Sequence, residues 1–349
     1  MPSMPVDEFI DAHIHLFDLK GTPRPMQPLG KLFGWSDRVL RTMAPILMPN
    51  DAVDFFGRRT ALLGDYMPPD YRADTASSEV GRYVHVQAGW KDKSPLDPVG
   101  ETAWLDSLED GPAAIVAYAD LSHPDVGSVL AAHMRASSRT RGIRHMLSWH
   151  PADGVMNFAE SADLSVSPEF RSGVASLAEH ALTFDAWCYS NQLHDFAELA
   201  STVPEVDMVL CHVGTPVGLF GEFAGVGVSE QERARIGDEW RDGISAVADR
   251  SNVRVKISGL LMPVLGLGYE HAPKSPSVGE LVERLSPVVD HVVDAFGPAR
   301  CMIASNFPVD RVSAGFETVT AAMIEMTSRY GPEAQRAMFA DTAARFYRL

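Results

Sequence analysis

The chain has 349 residues, of which 46% are hydrophobic and 22% are charged, enough to form a large hydrophobic core. Its formal net charge is -16 and its isoelectric point is near 5.1, so its field repels nucleic acid and anionic membrane surfaces, and we expect neither as a partner. No run reaches the roughly 18 apolar residues of a membrane span, and the first residues lack a secretory-signal pattern. We therefore expect a cytoplasmic protein.

Three cysteines, Cys188, Cys211 and Cys301, are spread along the chain without the close spacing of a metal site. We expect them to be small, buried hydrophobic residues in a reducing compartment, not a disulfide framework.

The first predicted strand lies within Glu8–Asp18 and ends in two histidines, His13 and His15. Residues i and i+2 of a strand project from the same face, so both imidazoles would point into whatever cavity caps this strand. An isolated His-x-His pattern is more often structural. Its place at the end of the first of many strands favours a role in a functional site.

A long segment over residues 19–80 follows, rich in Pro, Gly and Met, with helical patterns at Asp37–Met48 and Asp51–Leu63. Loops of this length in compact domains are usually functional, so we expect an insertion or lid over the end of the first strand. A structural insertion remote from the site is the alternative.

The rest of the chain alternates short apolar runs with helical sequence. Seven further strands are predicted at Tyr83–Gly89, Ala113–Ala119, Gly142–Ser148, Thr183–Cys188, Asp207–His212, Asn252–Ser258 and Arg300–Ser305. Helices are predicted at Pro98–Glu109, Pro124–Ala136, Ser167–His180, His194–Ser201, Ser229–Asp249, Val278–Phe296, Ala314–Ser328 and Pro332–Tyr347.

Eight strand and helix units predict a single α/β domain over residues 1–349, folded as a (β/α)₈ TIM barrel with a long insertion after the first strand. A doubly wound sheet would place a glycine-rich phosphate turn directly after an early strand, where this chain has His13-Ile14-His15.

Sites in such barrels form at the C-terminal ends of the strands. His212 ends the sixth predicted strand and would meet His13 and His15 there. Three histidines could hold one divalent metal ion, zinc or manganese, with an open coordination position, or could orient a water and a carbonyl group without metal. Considered alone, His212 could equally be a structural histidine.

Cationic residues occur in two strands. Arg144 and His145 are adjacent in the fourth, so only one of them can face the barrel, where a guanidinium would suit a substrate carboxylate. Lys256 in the seventh strand is a further candidate for contacting substrate oxygens. A salt bridge that fills a layer of the barrel would explain Lys256 as well.

Asn306 follows the eighth strand, where a hydrolase of this architecture needs a carboxylate to take a proton from water. An amide cannot do so, because it does not ionise in the working pH range. Asp310 lies four residues further along the chain. It could turn back toward the C-terminal ends of the strands as the general base, or could cap the next helix.

The chain resembles the amidohydrolase superfamily, in particular the amidohydrolase 2 branch that includes 2-pyrone-4,6-dicarboxylate lactonase and sugar lactonases. The segments that carry this resemblance are Asp11–Asp18, Gly100–Leu105, Gly142–His145, Cys211–Pro216, Val255–Leu260 and Phe296–Pro308. The resemblance implies that His13, His15 and His212 belong to the catalytic set and that Arg144 binds an anionic substrate group.

Two departures from that pattern bear on the chemistry. Many relatives carry Ser-Asp-x-Pro at the eighth strand, where this chain has Ser305-Asn306-Phe307-Pro308. Relatives with two metals use a lysine on the fourth strand and a histidine on the fifth, where this chain offers Arg144-His145 and Trp187-Cys188. A two-metal site is not supported, whereas one metal or none is compatible with the resemblance.

The sequence thus predicts an amidohydrolase-family hydrolase that opens a lactone or related cyclic ester, an ester bond in preference to an amide. The expected substrate is a small molecule with a carboxylate or sugar hydroxyls. An amide hydrolase or a non-oxidative decarboxylase of an aromatic acid is the alternative, and an inactive, ligand-binding barrel is a further one. Association into a homo-oligomer stays open.

Overall fold

Eight short parallel strands form one sheet and pair in chain order from the first to the last. The computed structural model describes residues 6–24, 64–78, 80–90 and 93–349, with isolated positions 4, 28, 31, 32 and 39. The strands are β1 Phe9–Ile14, β2 Val80–Val86, β3 Ala114–Ala117, β4 Thr140–Ile143, β5 Thr183–Ala186, β6 Met208–Leu210, β7 Val253–Ile257 and β8 Cys301–Ile303.

The sheet closes where the segment after β8 meets β1. His15 N donates to Phe307 O at 2.8 Å, and Asn306 N donates to His13 O at 2.9 Å. Ser305 N adds a hydrogen bond of 2.9 Å to Asp11 Oδ1. We call this set of contacts the seam. It completes the predicted (β/α)₈ barrel, and two of the histidines of interest lie directly on it.

Helices follow the strands and cover the outside of the barrel. They are α1 Pro68–Asp74, α2 Val99–Ser107, α3 Val126–Ala136, α4 Pro168–Ser176, α5 Leu193–Thr202, α6 Glu230–Ala248, α7 Val278–Phe296, α8 Phe316–Thr327, α9 Pro332–Arg336 and α10 Thr342–Tyr347. No helix in the described ranges is long and apolar enough to cross a membrane.

The hydrophobic core has two parts because alternate strand residues face opposite sides of the sheet. The larger part packs between strands and helices. The smaller fills the barrel interior with side chains from β1, β2, β3, β6 and β8, together with Phe346 and Tyr347 of α10. Tyr347 reaches Asp185 on β5, so α10 forms the floor of the barrel. The three cysteines are buried and unpaired, as expected.

The helix predicted over Pro332–Tyr347 has these bounds in the structure, with a π-helical turn at Ala337–Asp341 that separates α9 from α10. One helix was missed. α1 was not predicted. Its start shows two helix signals, Pro68 at the first helical position and an Asp70 carboxylate that accepts from Met67 N at 2.9 Å. The patterns at Asp37–Met48 and Asp51–Leu63 lie outside the described residues.

Candidate active site

A cavity of about 210 Å³ opens at the C-terminal ends of the strands. Five polar side chains line it: His15, Gln87, Arg144, His212 and Asn306. The other described lining residues are small or apolar: Phe17, Ala88, Gly89, Met146, Phe158, Trp187, Met262 and Val309. No carboxylate belongs to the described lining.

The His13 and His15 side chains lie next to each other at the end of β1. The register between β1 and β2 shifts between Asp11 and Ile14, and both imidazoles meet inside the barrel. Their Nε2 atoms are 3.2 Å apart. His15 reaches the cavity, whereas His13 is fully buried beneath it.

The outer partners of this pair indicate which ring nitrogens carry the protons. His15 Nδ1 lies 2.8 Å from Val86 O, which can only accept, so His15 carries its proton on Nδ1. His13 Nδ1 lies 3.4 Å from Lys256 Nζ, an ammonium that can only donate, so His13 carries its proton on Nε2. His13 Nε2 therefore donates to His15 Nε2.

Lys256 is buried in the barrel interior and does not line the cavity. Its Nζ is 2.7 Å from Asp185 Oδ2, and the Tyr347 hydroxyl donates to the same oxygen at 2.7 Å. We call Lys256, Asp185 and Tyr347 the floor cluster. Lys256 thus forms the salt bridge that was its alternative role in the sequence analysis, and its contact with substrate stays a prediction.

His212 stands at the end of β6 on a backbone that few residues adopt. Its φ is 54°, in the left-handed region, and Val213 follows at 49°. The ring fits because Gly259 has no side chain: a Cβ there would lie 2.6 Å from His212 Cγ and Nδ1. Nδ1 is 2.9 Å from Ser258 Oγ, which leaves Nε2 for the cavity.

Arg144 faces the cavity from the end of β4, beside Gln87. Arg144 Nη2 donates to Gln87 O at 2.6 Å, and the Gln87 Oε1 accepts from Gly89 N at 3.1 Å. Within the described structure, Gln87 Nε2 and Arg144 Nε are buried donors without a hydrogen-bond partner. Buried donors left unpaired are costly, so this corner is suited to an acceptor oxygen of a ligand.

Asn306 occupies the position after β8 at which the sequence analysis expected a carboxylate. Its φ is 58°, and asparagine tolerates this left-handed conformation better than most residues. Asn306 Nδ2 donates to Asp310 Oδ1 at 2.9 Å, so the amide oxygen is the end that remains for other partners. Asp310 also accepts from Leu261 N at 3.3 Å.

Electrostatics make the three imidazoles neutral at pH 7. Burial, with the field of Arg144 next, lowers the pKa of His15 to about 3. Burial also lowers the pKa values of His13 and His212 well below the ordinary 6.5, with Lys256 and Arg144 respectively as the next cause. Burial raises the pKa of Asp310 to about 7.

Two further predicted site residues, His145 and Asp310, are not part of the described cavity lining. His145 points outside the barrel, where its Nδ1 accepts from Leu121 N at 3.2 Å and its ring packs against Phe170 and Tyr118. Strand alternation gives Arg144 the inward position and His145 the outward one. Asp310 contacts Asn306 and is not part of the described cavity lining, so its role as general base stays a prediction.

The predicted metal ligands do not fit a divalent ion. The separation of the His13 and His15 Nε2 atoms is close to the roughly 3.3 Å expected between two nitrogens 2.0–2.1 Å from one tetrahedral zinc. However, the His13 Nε2 proton occupies that space. In addition, no group of three or more His, Cys, Asp or Glu side chains in the described part of the chain could hold a metal ion.

Gln87, Ser258 and Trp187 were not predicted as site residues. Gln87 lies just past β2, in the same relation to its strand as His15 to β1, and this position is the signal that could have identified it. Trp187 Nε1 donates to Thr215 Oγ1 at 2.9 Å, so its ring offers the cavity an apolar surface.

Comparison with known proteins agrees with this architecture. A family model described as amidohydrolase matches residues 10–349. The protein y4mH of Sinorhizobium fredii is 32% identical over 97% of this chain and 98% of its own length. An L-fucono-1,5-lactonase of Burkholderia multivorans is 29% identical over 82% of this chain and 88% of its own length.

Among solved structures, an amidohydrolase of Burkholderia multivorans with bound zinc superposes with a TM-score of 0.72. It is 22% identical and covers 98% of this chain and 99% of its own, so this likeness concerns the fold. The family model spans nearly all of the sequence, and a relative above 30% identity matches along almost its full length. The chain therefore belongs to the amidohydrolase family.

Proposed function

We propose that this protein is a hydrolase that opens a lactone or related cyclic ester at the cavity above His15 and His212. The observation that carries the proposal is the pair of unpartnered, buried donors, Arg144 Nε and Gln87 Nε2, whose side chains line the same cavity as the neutral His212. Such donors stabilise the oxyanion of acyl transfer because they are oriented before charge develops. The similarity to an L-fucono-1,5-lactonase supports an ester as the reacting group.

In this mechanism the substrate carbonyl oxygen lies at the Arg144 and Gln87 corner. The Asn306 amide oxygen and His212 Nε2 accept hydrogen bonds from the attacking water. His212 takes one proton as the water oxygen bonds to the carbonyl carbon, with Ser258 Oγ accepting from its Nδ1. The tetrahedral intermediate collapses, the ring C–O bond breaks, and the imidazolium returns the proton to the leaving oxygen.

The same electrostatics link base strength to catalysis. Arg144 is one cause of the low pKa of His212. Negative charge that develops on the carbonyl oxygen beside Arg144 offsets its field, so His212 becomes a stronger base as the reaction proceeds. No step requires a metal ion, in keeping with the donor set. Elemental analysis of protein purified without chelator measures directly whether a metal ion is bound.

The walls indicate a substrate with an apolar body. Four large apolar side chains line the cavity, Met146, Phe158, Trp187 and Met262, with the Phe158 and Trp187 ring centroids 4.8 Å apart. Polyhydroxylated rings need hydrogen-bond partners that these side chains do not provide. We infer that aryl- or alkyl-substituted lactones are better substrates than sugar lactones.

The experiment is a pH-indicator assay of lactone hydrolysis. The substrate panel contains aryl- or alkyl-substituted lactones and sugar lactones. We expect His212→Gln to lower kcat/KM by about 10² to 10⁴, the usual contribution of a general base, and Arg144→Met by about 10² to 10³. His145→Gln is the matched control, a histidine outside the barrel, and should stay within a few-fold of wild type. Full activity in His212→Gln would refute the mechanism, and no turnover of any lactone would refute the function.

Non-oxidative decarboxylation of an aromatic acid is the second candidate. The apolar walls and the absence of a carboxylate from the described lining favour it, because this reaction needs a proton donor at the ring carbon and no base to activate water. Release of carbon dioxide from hydroxybenzoates, with no lactone turnover, would select this reaction. Failure of both assays would leave a ligand-binding barrel.

A further inference from the structure

We propose that Lys256 is a positioning residue that acts through His13 and excludes divalent metal ions from the His13 and His15 pair. It does so by holding a proton between the two Nε2 atoms. The inference goes beyond the proposed function and does not depend on which bond the enzyme breaks.

The first step is the isolation of the floor cluster from solvent. The Lys256 and Asp185 side chains are fully buried, and Lys256 Nζ lies 5.1 Å from the centroid of the Tyr347 ring. The described structure gives Nζ two polar neighbours, Asp185 Oδ2 and His13 Nδ1. A buried ammonium needs its acceptors, so the hydrogen bond to His13 is difficult to give up.

The second step is the direction of the hydrogen-bond chain. It begins at a group that only donates, Lys256 Nζ, and ends at one that only accepts, Val86 O. Two neutral imidazoles lie between them and carry one proton each. A single arrangement satisfies the three contacts from Lys256 to Val86: Lys256 donates to His13 Nδ1, His13 Nε2 donates to His15 Nε2, and His15 Nδ1 donates to Val86 O.

The third step concerns metal binding. The Nε2 separation of 3.2 Å would suit two ligands of one ion, so distance is not the obstacle. Binding needs a lone pair on both Nε2 atoms, which moves the His13 proton to Nδ1. There it would face the Lys256 ammonium in a buried environment. Metal-binding histidines usually donate this proton to a carboxylate or carbonyl, and here the partner is a cation.

The direct test is the ring-nitrogen NMR spectrum of the wild-type protein. Long-range ¹H–¹⁵N correlation distinguishes Nδ1–H from Nε2–H imidazoles, and His13→Gln and His15→Gln assign two of the twelve histidines. We expect His13 as the Nε2–H form and His15 as the Nδ1–H form. A His13 ring with its proton on Nδ1 would overturn the proposal. This result needs only the assigned wild-type spectrum and no variant of the floor cluster.

The second test is zinc binding after removal of both buried charges. Lys256→Met with Asp185→Asn should release the His13 Nδ1 from the ammonium and raise zinc affinity at least about tenfold, as measured by competition with a chromophoric chelator. Tyr347→Phe is the matched control, because it removes a contact of Asp185 but keeps Lys256, and should bind no more zinc than wild type.

Two results would overturn the proposal here. One is wild-type protein that retains one equivalent of zinc dependent on His13. The other is a folded double variant with unchanged zinc affinity and an unchanged His13 proton. If the double variant does not fold, the wild-type spectrum and zinc content decide the question.

Discussion

The stability of the barrel should depend on Lys256 and Asp185 as a unit. Their charged atoms are 2.7 Å apart, and both side chains are fully buried. Removing one partner leaves an uncompensated buried charge, for which the expected loss is about 3–5 kcal/mol of unfolding free energy. Removing both charges together should cost only about 1–2 kcal/mol, the scale of a lost hydrogen bond plus imperfect packing.

A double-mutant cycle measures this coupling. Lys256→Met, Asp185→Asn and the double variant are unfolded in urea and followed by tryptophan fluorescence, and the double variant should be more stable than either single one. Arg235→Ala is the control, because it breaks an exposed pair with Glu239 on α6 and should change stability by about 0.5 kcal/mol or less.

The reasoning fails if the two single changes add up in the double variant. Additive losses would mean that the two charges do not stabilise each other in the folded barrel. Losses below about 1 kcal/mol in both single variants would mean that water reaches the floor cluster and screens each charge. In either case the orientation assigned to the hydrogen bond between Lys256 and His13 would lose its support.

Three further predictions concern pH and Asn306. Because burial lowers the pKa of His212 well below 6.5, the acid limb of kcat/KM should have its midpoint well below pH 6.5, and a midpoint near 6.5 in the pH profile would identify a different base. Burial raises the pKa of Asp310 from 3.8 to about 7, so the folded state binds this proton more tightly and stability falls as pH rises from about 4 to about 7. Urea unfolding at pH 5 and pH 8 should show a smaller pH difference in Asp310→Asn than in wild type, and an equal difference would contradict the assignment. Asn306→Asp places a second carboxyl at a contact of 2.9 Å, so its melting temperature should fall more at pH 8 than at pH 5, and a uniform fall would exclude charge repulsion as the cause.

The barrel was predictable from the sequence because each strand is a short apolar run followed by helical sequence. Helix α7 was predicted with its observed bounds. Ser277 and Glu280 form a capping box across its start, and Gly297 ends it. The strands other than β2 are shorter than predicted, and β2 begins three residues before its predicted start. Backbone pairing stops before the apolar pattern does, and the last residues of each run turn into the mouth.

The site was predictable only in part. Strand position placed His15, His212 and Asn306 at the cavity, because the C-terminal ends of parallel strands meet there. Alternation alone could not choose between Arg144 and His145, since the face depends on the register of β4 with its neighbours. The spacing of residues in the sequence also could not show that Lys256 faces His13. The two residues are far apart in the chain and come together only when the barrel closes.

The seam has a consequence for folding kinetics. The hydrogen bond between Ser305 and Asp11 joins residues 294 positions apart, and the contacts of His13 and His15 with the segment after β8 span similar distances in sequence. Closing so large a loop is entropically costly and slow. A partly folded form that lacks this closure also lacks the backbone hydrogen bonds of His13 and His15 to the segment after β8. Recovery of activity during refolding should therefore report this closure as the last long-range step. Local unfolding of β1 or β8 should abolish activity while most of the helices remain intact.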